Sequence, residues 1–431
     1  MKRKMSTIER MIDGNVVFAL SLAGELDEPR LRAALDRVQG KHPALRMLIR
    51  EQAGELLYEM DCAPPVPIRI VEGADHDTLA REWRHEAYTP FVHDLPQLRL
   101  TWLRSDEEHE LLVAATHRIC DGMSQLTIVR ELLDGLHSEQ ALVPYQAIAP
   151  ADVIGDFDDG KRWKRRAAAW LVNAVFALLP PTRRPVDKHE IHIHWSLGTE
   201  FTEGLRQRCK AESVSLHTAL LLALSQAQQA TLQRKMPDWI ESPIDARRER
   251  LSMLKSDMLF FGGGSFKVPA RQSVAPDFWT AARELNRTIL AQVAQGIDDI
   301  PGKYQFCEMI RPPSAAKIRS LVRLGDAISR NRNWNLFSFS NLGNIRLLQA
   351  DSPLRVRRLR IYVHSFASRV LGVIAYTLND ELNFIYTGDD QCLSRAEADA
   401  LRVAFMAELA ACLSRTDAVL PAATTLDAEV A

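Results

Sequence analysis

The stretch ELLVAATHRICDGMSQLTIVREL, residues 110–132, decides how this chain is read. Residues 110–116 are nearly all apolar, the pattern of a β-strand covered on both faces. Leu126, Val129 and Leu133 then recur at helical spacing, and Leu136 continues the stripe. A short loop joins the two, with His117 at the strand end and Asp121-Gly122 before the helix. An imidazole placed there is held firmly and can face a cleft, and histidine is the side chain best suited to move protons near neutral pH. Asp121 would orient the loop by pairing with an arginine. Gly122 would let the backbone turn tightly beside a ligand. The same pattern also fits a histidine packed at a strand end.

Strands and helices alternate outward from this point. Residues 16–22 favour a strand, and Asp27 is a helix N-cap with Pro29 in the first turn, ahead of Leu31, Ala34, Leu35 and Val38 at helical spacing. Residues 45–49, 56–60, 66–71 and 98–103 read as strands, and 78–88 as a helix. Residues 143–160 lose periodicity and collect Pro, Asp and Gly, as a surface connection does. Beyond a boundary near 185, strands are expected at 191–197, 239–244 and 336–340, and helices at 213–233, 278–293 and 315–324. Residues 356–363, 370–378 and 382–386 read as a β-meander. A last helix starts at Ser394, with Glu397 completing a capping box, and the tail beyond 416 is expected to fray. The fold class is α/β (α+β), in two parts, 1–185 and 186–431.

Composition narrows the function. With 54 basic and 55 acidic side chains among 431 residues the net charge is −1, which gives no electrostatic reason to expect a nucleic-acid partner. Six scattered cysteines without a CxxC pair argue against structural zinc and a disulfide framework and suit a reducing cytoplasm. The opening MKRKMSTIER lacks the apolar run of a signal peptide. No stretch approaches the ~18 apolar residues of a membrane span.

Other constellations carry less. His192 and His194 share one face of a strand, with His189 nearby, but a third metal ligand is missing, so a solvated face is the expectation. Ser340 lacks the GxSxG surroundings of a hydrolase nucleophile. Cys120 has neighbours that do not favour a thiolate. Phe261-Gly262-Gly263-Gly264 lacks the Lys-Ser/Thr of a phosphate loop and reads as a strand break. KRWKRRAAAWLVNAVFALLPPTRR, residues 161–184, is either a helix touching a membrane surface or lipid or a packing helix bridging two domains and ended by Pro180 and Pro181. The packing reading is favoured.

His117-Arg118-Ile119-Cys120-Asp121-Gly122 matches HxxxDG and resembles the signature of the chloramphenicol-acetyltransferase-like superfamily, which includes peptide-synthetase condensation domains, polyketide-associated acyltransferases and alcohol acyltransferases. Gly24-Glu25-Leu26-Asp27 with Leu31, Ala34 and Leu35, then His42-Pro43-Ala44-Leu45-Arg46, is similar to that family's opening. Ile244-Asp245-Ala246-Arg247 is similar to a mid-chain Asp-x-Arg, and Ser340-Asn341-Leu342-Gly343 to a late S-N-L-G turn. Leu378-Asn379-Asp380-Glu381-Leu382 and the helix after it fit the closing meander. Two features depart: Thr116 stands where condensation domains usually carry a first histidine, and the DFGWG motif of the plant branch is absent.

The resemblance implies two similar lobes in a V with a tunnel between them. A thioester donor, acyl-CoA or an acyl group on a carrier protein's phosphopantetheine, would meet an alcohol or amine acceptor there, with His117 as general base. Gly122 N–H and the Ser340-Asn341 turn, and secondarily Ser124, would hold the oxyanion. Asp121 would form a structural ion pair with Arg247, or else Arg46. No bound cofactor or metal is implied. The expected activity is ester-forming acyl transfer by a free-standing cytoplasmic monomer, with lipid contact through 161–184 left open. The alternatives are amide formation on a carrier-bound substrate, made less favoured by Thr116, and a non-catalytic carrier-binding homologue.

Overall fold

A computed structural model describes residues 2–106, 108–138, 140–184, 189–232, 237–247, 251, 253–261, 263–271, 277–329, 337–349 and 351–414. The expected boundary at 185, Gln233, Arg248, Gly262, Leu336 and the tail beyond 416 lie outside the described residues. The first half runs β1 (Lys2–Lys4), α1 (Thr7–Met11), β2 (Asn15–Ala23), α2 (Glu28–Lys41), a 3-10 turn (Pro43–Leu45), β3 (Leu48–Gln52), β4 (Glu55–Glu59) and β5 (Ile68–Glu72). It continues with α3 (His76–Tyr88), β6 (Leu98–Arg104), β7 (His109–Thr116), α4 (Gly122–Gly135), α5 (Pro150–Ile154) and α6 (Arg162–Leu178). The second half runs β8 (Glu190–Leu197), α7 (Thr199–Ala211), α8 (Leu216–Thr231), β9 (Trp239–Ile244), β10 (Gly264–Pro269), α9 (Phe278–Asp298) and α10 (Ile300–Glu308). Then come α11 (Ala315–Ser329), β11 (Phe337–Asn344), β12 (Arg355–His364), β13 (Gly372–Leu378), β14 (Glu381–Asp389) and α12 (Arg395–Ser414).

Two large sheets organise the chain, one of order β12-β2-β7-β6-β5 and one of order β10-β9-β11-β13-β14-β8, beside a small β1-β4-β3 sheet. The first is buried on both faces because β2 and β7 are apolar at nearly every position. Their alternate residues Val16, Phe18, Leu20, Leu111, Val113 and Ala115 pack with α2 and α4, while Val17, Ala19, Leu112 and Ala114 meet α3. The second sheet packs against α7, α8, α9 and α12 through Leu205, Leu221, Leu285 and Phe405. Two α/β lobes result. Asp27 caps α2 by accepting from Arg30 N–H at 3.1 Å, and Ser394 with Glu397 forms the capping box of α12.

Several expectations need correction. The expected strand at 45–49 begins only at Leu48, because the chain first turns through the 3-10 segment that Pro43 opens. Residues 356–363 do not extend a meander: β12 crosses to the first sheet and pairs antiparallel with β2, Ile361 opposite Phe18, while β13 and β14 form a hairpin in the second. The first sheet therefore takes one strand, β12, from the second half of the sequence, while every strand of the second sheet lies after residue 189. Gly264, the last residue of the glycine run read as a strand break, opens β10, which pairs with β9.

His192 and His194 are buried, not solvated. The Trp83 indole lies edge-on to His192 and stacks on Tyr362, which in turn packs against His194, so α3 and β12 of the first lobe cover this face of β8. Glu190 on the same strand bonds His364 Nδ1 of β12 at 2.7 Å and Tyr88 of α3 at 3.1 Å.

The segment 161–184 forms α6, and only Ala169 in it is buried, so it does not bridge two domains as a packing helix would. One side rests on α10 and the chain after it: Arg165 donates to Gln305 Oε1 at 3.0 Å, and Asn173 exchanges hydrogen bonds with Met309 O and Arg311 N–H. The opposite side is open, with Trp163 66%, Trp170 72% and Leu178 85% exposed.

Candidate active site at the lobe junction

β7 delivers His117 to the junction of the lobes. His117 N–H donates to Gly14 O at 3.0 Å, so the residue before β2 fixes where the loop starts. Gly14 has φ +119°, and an added Cβ would lie 2.0 Å from His364 O; only glycine fits where β12 passes this closely. The His117 ring is partly buried, and its Nδ1 lies 2.6 Å from Cys120 O. A carbonyl oxygen only accepts, so Nδ1 carries the proton and the neutral ring keeps its lone pair on Nε2. Phe261 stands edge-on to the ring at 5.2 Å, and Tyr304 O–H donates to Phe261 O at 2.6 Å. Tautomer and ring plane are both set by the protein.

Asp121 N-caps α4: its Oδ1 accepts from Ser124 N–H at 2.8 Å. Arg247 also grips this carboxylate with both terminal nitrogens at 2.9 Å, in the two-pronged geometry that suits a guanidinium. The remaining Arg247 donors reach Asp245 Oδ1 at 3.0 Å, Met258 O at 2.9 Å and Phe260 O at 2.7 Å. Burial by itself would raise the Asp121 carboxyl, but the Arg247 charge and the donors from Arg247 and Ser124 outweigh it and hold it below its ordinary value. Asp121 is thus locked as an anion, with no proton to exchange.

The remaining candidates separate. Arg46 bonds Asp61 and takes no part in the Asp121 pair. Ser124 is corrected from oxyanion donor to scaffold: it is fully buried, accepts from Arg247 at 2.7 Å and from Phe260 N–H at 3.0 Å, and lies 2.9 Å from Asp121 Oδ1. Gly122 opens α4, where the helix dipole favours negative charge, and an added Cβ there would sit 3.0 Å from Leu342 Cδ2. That contact brings the Ser340-Asn341-Leu342-Gly343 segment against the motif loop. Ser340 is partly buried on β11, and the segment expected as a turn is part of that strand: Ser340 and Asn341 pair with β13, the register shifts after Asn341, and Asn341 Oδ1 accepts from Gly343 N–H at 2.9 Å. Cys120 is buried, and burial pushes its thiol up, with the Asp121 charge adding to the effect.

Sequence reasoning missed Gly14 and Tyr304, and it named Asp245 and Phe261 without giving either a role at the site, since nothing local ties them to His117. It also missed a buried charge cluster joining α2 to α4. There Lys41 bonds Glu131 and, at 2.6 Å, Asp257; His42 Nε2 meets Glu131 at 2.7 Å, and Tyr145 O–H donates to Asp257 at 2.6 Å. The His-Pro pair at 42–43 was its only sequence signal. Among the described residues no group of three or more His, Cys, Asp or Glu side chains is placed to hold a metal ion.

A family model described as a condensation domain matches residues 13–256. The chain is 27% identical over 386 residues to cyclosporin synthetase simA of Tolypocladium inflatum, an alignment that covers 83% of this chain and 2% of that protein. It therefore spans a small fraction of that relative's length. The epimerization domain from the third module of tyrocidine synthetase B superposes with TM-score 0.66 at 14% identity, covering 96% of this chain and 97% of that one. The trichothecene 15-O-acetyltransferase TRI3 of Fusarium sporotrichioides does so with TM-score 0.66 at 12% identity, covering 96% and 95%. At these identities the likeness is one of fold.

Proposed function

Because the chain belongs to the condensation-domain family, we propose that it transfers an acyl group from a thioester to a hydroxyl, with His117 as the general base. The observation that carries this reading is the His117 Nδ1–Cys120 O hydrogen bond, which leaves Nε2 to accept a proton. An acceptor O–H would pass its proton to Nε2 as its oxygen attacks the thioester carbonyl. The oxyanion so formed would be held by Gly122 N–H, with the Ser340-Asn341 segment of β11 as the second candidate. Collapse would expel the thiolate, which takes the proton back from His117 and leaves as thiol. The large synthetase among the relatives supports a carrier-tethered donor over free acyl-CoA.

The fold likeness to an O-acetyltransferase and Thr116 in place of a first histidine favour a hydroxyl acceptor. A second reading, amide formation on a carrier-bound amine, is favoured by the match to the condensation-domain family. Intact-mass analysis of acyl-CoAs and acyl-carrier proteins incubated with pooled alcohols and amines tests both, since product mass and lability to hydroxylamine separate ester from amide. His117→Ala should lower transfer by about 10²–10⁴-fold with an unchanged circular-dichroism spectrum. Equal product from the variant would remove His117 as base. No product from any pair would favour the carrier-binding reading.

A further inference from the structure

The seventeen residues of α6 divide cleanly around the axis. Arg165, Ala169, Asn173 and Phe176 lie on the side held by α10 and α11, the last through Lys317 donating to Phe176 O. Trp163, Ala167, Trp170, Leu171, Ala174 and Leu178 fall on the other side at spacings of one, three and four residues, the period of one helical stripe. Within it Trp163, Trp170, Leu171 and Leu178 are each more than half exposed. An exposed apolar face of this length on a helix already anchored to the protein marks an interaction surface.

Charge identifies the occupant. Residues 161–178 contain no acid and five bases. Arg165 is taken by Asp159 at 2.6 Å. Lys161, Arg162, Lys164 and Arg166 form no ion pair with the described residues; Lys164 and Arg166 border the apolar stripe, and Lys161 and Arg162 stand at its N-terminal end. Of the acids just ahead of the helix, Asp159 is paired with Arg165, and the four remaining bases outnumber the two remaining acids, Asp156 and Asp158. Lys164 stands 5.5 Å from the Trp163 ring. Tryptophan and leucine on one face with bases at its borders is the chemistry of a helix lying in the headgroup region of an anionic bilayer. No described helix is long and apolar enough to cross a membrane. We propose that α6 docks this protein on an anionic lipid surface, in the plane of the interface and with the stripe of Trp163 and Trp170 inward.

The test is co-sedimentation of the full chain with vesicles of phosphatidylcholine alone or mixed with phosphatidylglycerol, read together with tryptophan emission. Binding to the mixed vesicles, a blue shift in emission and weakening by salt are expected. W170S/L171S should abolish binding, and R162E/R166E should weaken it by roughly 30-fold or more, from ~1 kcal/mol per basic residue at an anionic surface. All four positions are exposed, so the variants should keep the wild-type circular-dichroism spectrum and melting temperature. No sedimentation with mixed vesicles, or equal binding to both kinds, would overturn the proposal. So would lipid-independent dimerisation that W170S/L171S removes, or capture of an acidic carrier protein by this face in place of vesicles.

Discussion

Replacing Arg247 with alanine is expected to destabilise the protein by about 3–5 kcal/mol, the cost of breaking a buried ion pair from one side. Its side chain is 1% exposed and that of Asp121 21%, so Asp121 would be left as a largely desolvated anion. Two features hold the cost toward the lower end. Asp121 keeps the Ser124 N–H, and Phe260 O still has the Ser124 hydroxyl within 3.1 Å. Only Met258 O loses its donor outright, for about 1 kcal/mol. Asp121→Asn should cost less, about 2 kcal/mol: asparagine caps a helix as well as aspartate does, and Arg247 retains Asp245 at 3.0 Å. The double variant should be more stable than the sum of the singles implies, because the orphaned anion is gone. Urea unfolding followed by circular dichroism measures all three. Arg247→Ala should also lower turnover by about 10²-fold, since it frees the loop that sets the His117 position. A wild-type urea midpoint for Arg247→Ala, or an equal loss from Asp121→Asn, would refute this account of the site.

Gly14→Ala should cost several kcal/mol and cut turnover, because the new methyl group meets His364 O at 2.0 Å in a backbone region that strains other residues. A variant that melts at the wild-type temperature would count against that. Glu190 gives a pH signature: burial alone would raise it, but the imidazoles of His192, 3.7 Å away, and His364, hydrogen-bonded at 2.7 Å, pull it down to about 2 from 4.5. A carboxyl with a lowered folded value stabilises the fold fully above its unfolded value and loses that contribution as pH falls toward the folded one. About 3 kcal/mol should therefore fade between pH 4.5 and 2, and Glu190→Gln should show a flatter acid limb in urea titrations; an unchanged limb would dissociate Glu190 from acid stability. Iodoacetamide should modify exposed Cys62 and spare buried Cys120 until the chain unfolds, and Cys120→Ala should keep its activity; early labelling of Cys120 by mass spectrometry would contradict its burial.

The sequence showed most where a segment's own pattern specifies its environment. The apolar run of β7, the stripe of α4 and the Asp27 cap each carry their structure locally, so His117 at a strand end before a helix was readable directly. What stayed hidden depends on distant partners. β12 alternates like any half-buried strand, and nothing in that alternation says that β2 rather than β13 will pair with it. His192 and His194 share a face by simple periodicity, yet Trp83 and Tyr362, which bury that face, arrive from the other lobe. Ser124 sits where an oxyanion donor would, but its hydroxyl is engaged by Arg247 from a remote turn. Gly264 looked like an interruption because a glycine run lowers strand propensity, and pairing with β9 overrides that. α6 misled in the other direction: its composition suits a packing helix as well as a surface one, and only the position of α10 on one side separates them.

The crossing of β12 to the first sheet has a consequence for synthesis of the chain. β2 needs a neighbour on each side, and the one opposite β7 lies more than 300 residues downstream, Phe18 pairing with Ile361. While the ribosome makes the intervening residues, β2 presents a bare, apolar edge, the kind of surface that pairs with whatever strand it meets. Completion of the first sheet is therefore a late event, and a nascent chain halted before residue 364 keeps that edge of β2 open to pairing with other chains.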